Sequence, residues 1–396
     1  VLSKKALNIS PSPTLAISAK AKQMKSEGID VIGFGAGEPD FDTPEHIKEA
    51  AVKALQEGFT KYTPAAGIPE LKEAICQKLK KDNSLDYKPN QIVVSNGAKH
   101  SLDNIFASLL DPGEEVIIPT PYWVSYPEMV KLNDGIPVFI ETDSSTSFKV
   151  TLEQLEKTYT SKTKAFILNS PSNPTGQVYS REELAVIADF AVKNNIFIIS
   201  DEVYEKITYD GAIHTSIASL GPEISKLSIV VNAVSKTYSM TGWRIGYAAT
   251  PPEVATAMGD IQSHLTSNPN SIAQKAALSA ISGPQDCVEE MKKSFAQRRS
   301  YMVKKVKEIP YLDCLSPEGA FYLFVEVKDT FGKTFKNSKI ADVDDFATCL
   351  LNEYKVAVVP GTGFGAPNYI RLSFATSQDN IQKGLERIEE FVKLLK

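Results

Sequence analysis

The chain reads as an α/β protein, with a large domain on a mostly parallel central sheet and a smaller α+β domain beside it. Three observations predict this. At 396 residues the chain exceeds what one hydrophobic core covers, since single cores stop growing near roughly 250 to 300 residues. From about Gln91 onward, short β-rich runs alternate with stretches of helical periodicity, the order expected of β-α-β units. Those runs are apolar almost without interruption, as strands covered on both faces must be.

Residues 1–45 are expected to supply an N-terminal arm and part of the small domain, which they join through VIGFG at 31–35. Residues 46–284 form the large domain, whose strands are QIVVS, EVIIPTP, IPVFIET, KAFILNSP, IFIISDE, SIVVNAVS and RIGYAAT, with amphipathic helices such as 98–110 and 180–194 between several of them. Past Gly283-Pro284, residues 285–396 begin with a long helix from about Gln285 to Glu308, apolar on one face and rich in Lys and Arg on the other. It links the domains. AFYLFVEV, VAVVPG and YIRLSFA then supply strands, and 340–353 and 377–395 supply helices. There is no internal repeat, low-complexity tract or long Gly/Ser linker.

Composition excludes several classes. A net charge of −5 with no block of like charges gives nucleic acid no broad surface to bind, so small molecules are the expected partners. The four cysteines, Cys76, Cys287, Cys314 and Cys349, and the four histidines, His46, His100, His214 and His264, are scattered. That spacing makes neither a zinc pattern nor a disulfide framework, so no metal is expected and the thiols read as reduced and mostly in the core. VLSKKALNISPSP lacks the apolar centre of a signal peptide, and no segment approaches the roughly 20 apolar residues that span a bilayer. The expected location is the cytoplasm.

In open sheets of this kind ligands collect at the carboxyl ends of the strands, where several polar groups fall. Lys236 follows the apolar strand IVVNAV; low-dielectric surroundings disfavour its charge and make the amine a nucleophile suited to a Schiff base. Ser235 beside it and Arg244 eight residues on can hold a phosphate, the arginine with a planar fork of donors. A reactive lysine with a phosphate clamp points to pyridoxal phosphate. Asp201, after IFIIS, would keep a pyridine nitrogen protonated, as an electron-sink cofactor requires; taken alone, SDE reads as a helix cap. Tyr204, in the adjoining turn, and Asn173, projecting from PSNPTG, can hydrogen-bond a ring hydroxyl, although PSNPTG is also an ordinary turn. SNGAKH at 95–100 opens a helix after a strand, so the backbone N–H groups of Gly97, Ala98 and Lys99 make an anion site without a Walker sequence. Trp123, after EVIIP, offers either a face for a flat ring or ordinary core packing.

Ordered along the chain, AGEPDFDTP at 36–44, KYTPAAGIPELKEAI at 61–75, PYWVSYPEM, NSPSNPTG, SDEVYE, SKTYSMTGWRIGY and RLSFATS at 371–377 resemble the class I aminotransferases of pyridoxal phosphate fold type I, in the branch that includes bacterial aspartate aminotransferases. The resemblance covers almost the whole chain. It implies that Lys236 carries the cofactor and moves the substrate proton, that Asp201 pairs with the ring nitrogen, that Asn173 and Tyr204 hold the ring hydroxyl, and that Trp123 stacks on the ring. Gly97, Ala98, Ser235 and Arg244 would bind phosphate, with Lys99 in the same loop. Tyr62 would reach the phosphate of a neighbouring subunit, so the site is completed in a homodimer. Arg371 would hold the substrate α-carboxylate beneath the backbone of Gly37. Lys99, with Thr14 assisting, would meet the distal carboxylate, or else face water at a helix start. Ser10 stands where some prephenate-accepting relatives carry a basic residue, and His264 and Thr266 approach a partner's site on position alone.

The implied activity is reversible transfer of the amino group of L-aspartate to 2-oxoglutarate. Broad-specificity alanine, aromatic or prephenate aminotransferases and carbon–sulfur lyases of the same fold are the enzymatic alternatives. A cofactor-binding regulator would need an added DNA-binding module, for which the chain offers neither room before residue 30 nor the charge.

Overall fold

The computed structural model describes residues 1–10, 13–336 and 338–396, with the backbone alone for 13–16 and 18. A short strand β1 (Ile32–Gly33) precedes the seven-stranded central sheet. That sheet comprises β2 (Ile92–Ser95), β3 (Glu115–Pro119), β4 (Ile136–Ile140), β5 (Thr163–Asn169), β6 (Phe197–Asp201), β7 (Ser228–Ala233) and β8 (Gly246–Ala249), in the spatial order β2-β8-β7-β6-β5-β3-β4. Adjacent strands from β7 to β4 run parallel, whereas β8 runs antiparallel to both β7 and β2. The one reversed strand matters for function, because its start lies at the rim where β7 and β2 end.

The strands form where the sequence places them because β2, β7 and β8 are buried at every residue, so continuous apolar runs cost nothing in exposure. Local chemistry fixes the helices between them. Ser180 accepts from the N–H of Glu183, whose own side chain accepts from the N–H of Ser180. This capping box starts the helix Arg181–Asn194, and Asn195 in the left-handed conformation ends it. Apolar clusters on both faces of the sheet bury, for example, Leu102, Phe106 and Tyr126 on one side and Phe166, Leu184 and Ile198 on the other.

The smaller α+β unit has an antiparallel sheet of β9 (Asp313–Cys314), β10 (Tyr322–Glu326), β14 (Val359–Pro360) and β15 (Tyr369–Ser373), in the order β14-β15-β10-β9. A hairpin, β11 (Thr334–Phe335) with β12 (Ser338–Lys339), lies beside it, and β13 (Val356–Ala357) pairs in parallel with β1. The N-terminal strand thus packs on C-terminal residues. The helix Gln378–Lys393 buries Ile381, Leu385, Ile388 and Phe391 in this unit, and the long helix Asp286–Glu308 sends Met291, Phe295 and Met302 into the same core.

The cysteines differ from expectation. All four are free, but only Cys314 is buried; Cys76, Cys287 and Cys349 are half-buried at helix surfaces. Among the described residues no helix is long and apolar enough to cross a membrane.

Candidate active site

The parallel strands β5, β6 and β7 end side by side. Asn169 pairs in register with Asp201, and Asp201 with Val231 two residues before the end of β7. Past Ala233 the chain turns into the short helix Val234–Thr237, which carries Ser235 and Lys236. Gly246 opens β8 opposite both Ala233 and Ser95. The antiparallel strand therefore delivers Arg244, held in the left-handed conformation (φ 58°), to the same rim as Lys236 and the SNGAKH turn.

These residues surround a cavity of about 270 Å³, lined by Gly37, Ala98, Lys99, Trp123, Asn173, Asp201, Tyr204, Ser235, Lys236, Arg244 and Arg371. Tyr126, Asn169 and Tyr322 also line it; Asn169 stands where the apolar strand KAFIL leads the sequence to place polar chemistry, whereas no pattern in the sequence singles out the two tyrosines. Tyr62 is not at this cavity; it is 90% exposed. His264 and Thr266, at the end of the helix Pro252–Leu265, are also exposed. Ser10 is exposed too, its N–H bonded to the Glu128 carboxylate at 3.0 Å. The backbone of Thr14 lies in the helix Pro13–Ser26, but its side chain is outside the described residues.

One end of the cavity is an anion cradle. The helix Ala98–Leu109 begins there, capped by Gly97 at φ 87°. The Gly97 N–H, expected among the anion donors, is instead taken by the Ser95 carbonyl at 2.8 Å, because the turn closes tightly there. The donors at this turn are the N–H groups of Ala98 and Lys99, and Gly97 serves by lacking a side chain. A Cβ there would stand 2.3 Å from the Arg244 Nη2, and one on Gly246 would stand 2.3 Å from the Ala98 nitrogen. The Arg244 guanidinium is anchored by donating to the carbonyls of Thr241 (2.8 Å) and Asn96 (3.3 Å). Beneath the turn, buried Gln262 accepts from the Ser95 hydroxyl at 2.6 Å and the Asn104 amide at 2.9 Å, and donates to Val94 O and Ala65 O. The loop is thus fixed before any ligand arrives.

At the floor, Asp201 is 4% exposed and accepts a 2.6 Å bond from the Tyr126 hydroxyl. Burial pushes its carboxyl up to about 6, against the opposing pull of the Tyr126 hydroxyl and the Val203 N–H. Behind it, Glu202, Glu205 and His214 bring ligand-type atoms together. Lys78 already pairs with Glu205 there, and Asn83 and Asn232 each donate to it. With Lys78 and His214 nearby, Glu205 is held down to about 2 although burial alone would raise it. An ammonium group supplies the cation this cluster needs.

Lys236 donates to the Gly37 carbonyl at 2.6 Å. Burial pulls its amine down to about 8; Glu38 resists that shift, and Arg244 and Arg371 reinforce it. A neutral fraction therefore exists near pH 7, which a nucleophilic amine requires.

Opposite, Arg371 rises from β15, 2% exposed. It donates to the Asn173 Oδ1 at 3.0 Å and to the Gly35 carbonyl at 3.1 Å, while its Nε has no partner. Its guanidinium carbon lies 4.3 Å from the centre of the Tyr322 ring. Among the described residues no carboxylate pairs with it. Burying a charge against neutral acceptors alone is costly, so this side chain is prepared for an anion from outside. Asn173 also donates its backbone N–H to the Asn169 Oδ1 at 2.8 Å, which fixes the turn that brings its side chain to the cavity wall.

The Tyr204 and Tyr322 hydroxyls meet at 2.9 Å. Trp123 packs edge-to-face on Tyr126 with ring centres 5.3 Å apart, and the Lys99 ammonium sits 5.0 Å from the Trp123 ring centre. Burial, helped by Arg244, lowers the Lys99 pKa. No carboxylate among the described residues reaches Lys99, so it too can receive an external anion.

A reactive lysine beside a phosphate cradle, facing a buried arginine across one cavity, defines an enzyme acting on carboxylate-bearing amines. Residues 29–388 match the family model for class I and II aminotransferases, and the chain belongs to that family. It is 55% identical over 393 residues to the aspartate aminotransferase of Bacillus sp. (strain YM-2), which covers 99% of each chain. It is 52% identical over 392 residues to that of Geobacillus stearothermophilus, again covering 99% of each. The crystal structure of the Rhizobium meliloti aspartate aminotransferase superposes with a TM-score of 0.97 at 44% identity, over the full length of both chains.

Proposed function

We propose that this aminotransferase moves the amino group of L-aspartate to 2-oxoglutarate, giving oxaloacetate and L-glutamate, with pyridoxal 5'-phosphate as its cofactor. The observation that carries the reading is that a lysine amine held near neutrality and a buried arginine without a carboxylate partner face one cavity. Pyridoxal phosphate suits the residues present. Gly97 and Gly246 leave space that a Cβ would fill, the Ala98 N–H and Arg244 bracket an anion, and Asp201 is a buried carboxylate suited to a protonated ring nitrogen.

When bound, the cofactor supplies an electron sink and a temporary carrier for the amino group. The protein does the rest. Lys236 would hold the cofactor through its amine and, when that amine is free, act as the general base that takes the proton from the substrate α-carbon and passes it to the cofactor. Arg371, oriented by Asn173 and the Gly35 carbonyl, grips the α-carboxylate as a fork. Asp201, steadied by Tyr126, keeps a proton on the ring nitrogen. Tyr204 and the Asn173 amide donate to the ring hydroxyl, Trp123 covers the ring face, and the N–H groups of Ala98 and Lys99 with Ser235 and Arg244 hold the phosphate in the space that Gly97 leaves. Lys99 meets the distal carboxylate of aspartate. The enzyme works as a homodimer in the cytoplasm, with Tyr62 completing the partner's phosphate site. Supporting this, Tyr62 is fully presented to solvent on a loop tied down by Gln262 at Ala65 and by Gln274 at Thr63 and Ile68.

The test is product analysis with purified protein and cofactor. Oxaloacetate and glutamate formed in equal amounts, and lost in Lys236→Ala with the fold intact, support the proposal. Ammonia and pyruvate released from cysteine conjugates without amino transfer would replace it with a carbon–sulfur lyase.

A further inference from the structure

Tyr322 lines the cavity and touches residues from both halves of the site, Tyr204 after the central sheet and Arg371 on β15. It stands on β10, paired in register with Ser373 of β15, whereas Tyr204 follows β6 of the central sheet. Both phenols are buried, at 1% and 3% exposure. The Tyr322 hydroxyl meets that of Tyr204 at 2.9 Å, and its ring lies 4.3 Å from the Arg371 guanidinium carbon. A Cβ built on Gly37 would stand 3.5 Å from the Tyr322 hydroxyl, an ordinary contact distance, so the Gly37 backbone lies directly against that phenol.

The direction of the phenol pair follows from counting protons. Each hydroxyl has a single proton and can accept through its lone pairs. If Tyr204 donated to Tyr322, it would offer only lone pairs to the cavity. If Tyr322 donates to Tyr204, the Tyr204 proton is free for an acceptor in the cavity, and donation into its oxygen strengthens it as a donor. The ring of Tyr322 meanwhile gives Arg371 a flat π surface, a favourable contact in a desolvated site.

We propose that Tyr322 is a positioning residue: its hydroxyl commits Tyr204 to donate into the cavity, and its ring holds Arg371 level for the substrate carboxylate. This rests on the reading of the site as a pyridoxal phosphate site with Tyr204 at the ring hydroxyl. The phenolic oxygen of the ring carries its fullest negative charge when the adjacent lysine nitrogen is deprotonated, so a donor at that oxygen favours the deprotonated form. Weakening Tyr204 as a donor must then raise the pH at which the lysine–cofactor linkage loses its proton.

The experiment titrates the visible absorption of the reconstituted holoenzyme in wild type, Tyr322→Phe, Tyr204→Phe and the double variant, and measures succinate binding to wild type, Tyr322→Phe and Tyr322→Leu. Tyr322→Phe is expected to raise the spectral midpoint by about 0.3 to 1 unit, and to add nothing in the Tyr204→Phe background. Succinate binding should change less than about twofold in Tyr322→Phe, which keeps the ring, and weaken about 3- to 30-fold in Tyr322→Leu, which loses it. An unmoved midpoint in Tyr322→Phe, or the same rise without the Tyr204 hydroxyl, overturns the hydroxyl role. Unchanged succinate binding by a folded Tyr322→Leu overturns the role of the ring. A wild-type protein that forms no visible band with pyridoxal phosphate would fail at the earlier step, removing the cofactor reading and this inference with it.

Discussion

Tyr126 and Asp201 meet at 2.6 Å beneath the cavity, the hydroxyl from the helix Ser125–Leu132 holding a carboxylate that burial has pushed up to about 6. The fold places an acid where charge is disfavoured and supplies one strong donor to keep it usable. A ring nitrogen bearing a proton would complete the arrangement.

The first prediction concerns the apoprotein. The folded-state pKa of Asp201 is above its ordinary value of 3.8, so the group costs no stability while protonated in both states. The cost appears as pH rises past about 4 and is complete above about 6. The stability of Asp201→Asn relative to wild type should therefore improve over that window, by up to about 3 kcal/mol. Denaturant melts of both apoproteins at pH 4.5 and 8 measure it; a gap that shrinks as pH rises would mean that the site stabilises the charged carboxylate instead.

The amine of Lys236 gives the second. With its pKa drawn down to about 8 by burial, the rate at which apoprotein and pyridoxal phosphate form the visible band should rise about tenfold per unit below pH 8 and level off above it. Lys236→Ala should form no such band at any pH. A rate still climbing toward pH 10 would indicate a solvated lysine.

Gly97 offers a steric prediction. Any side chain there meets the Arg244 guanidinium, at a backbone angle that disfavours non-glycine residues. Gly97→Ala should displace Arg244 and weaken cofactor retention by about tenfold or more, measured by dialysis of the holoenzyme. Retention equal to wild type would show that Arg244 does not hold the phosphate.

Substrate choice turns on Lys99. Lys99→Ala should raise KM for aspartate by about tenfold while leaving KM for an aromatic amino acid within about twofold, since only aspartate brings a second carboxylate to the ammonium. Equal changes would take Lys99 out of substrate recognition.

The sequence made the rim of the sheet legible because β5, β6 and β7 are apolar runs that stop at polar residues, Asn169, Asp201 and Ser235. Arg244 was found by its distance from Lys236, but the reason it arrives there, a single reversed strand whose first residue faces Ser95 and Ala233, is a matter of tertiary pairing. Tyr126 and Tyr322 went unseen for a different reason. Tyr322 lies in a strand whose first four residues are all buried, so alternation assigns no face to the cavity. Tyr126 stands three residues from Trp123, in the first turn of the helix Ser125–Leu132, in an aromatic-rich stretch where either ring fits the core. The Gly97 N–H looked free because its acceptor, the Ser95 carbonyl, depends on how tightly the turn closes.

The most direct measurement is the visible spectrum of the purified protein with pyridoxal phosphate, before and after adding L-aspartate and then 2-oxoglutarate. A lysine-linked band that fades with aspartate and returns with 2-oxoglutarate is the expected result. A band indifferent to aspartate but discharged by another amino acid would contradict the assigned substrate, and the absence of any band would contradict the role of Lys236 itself.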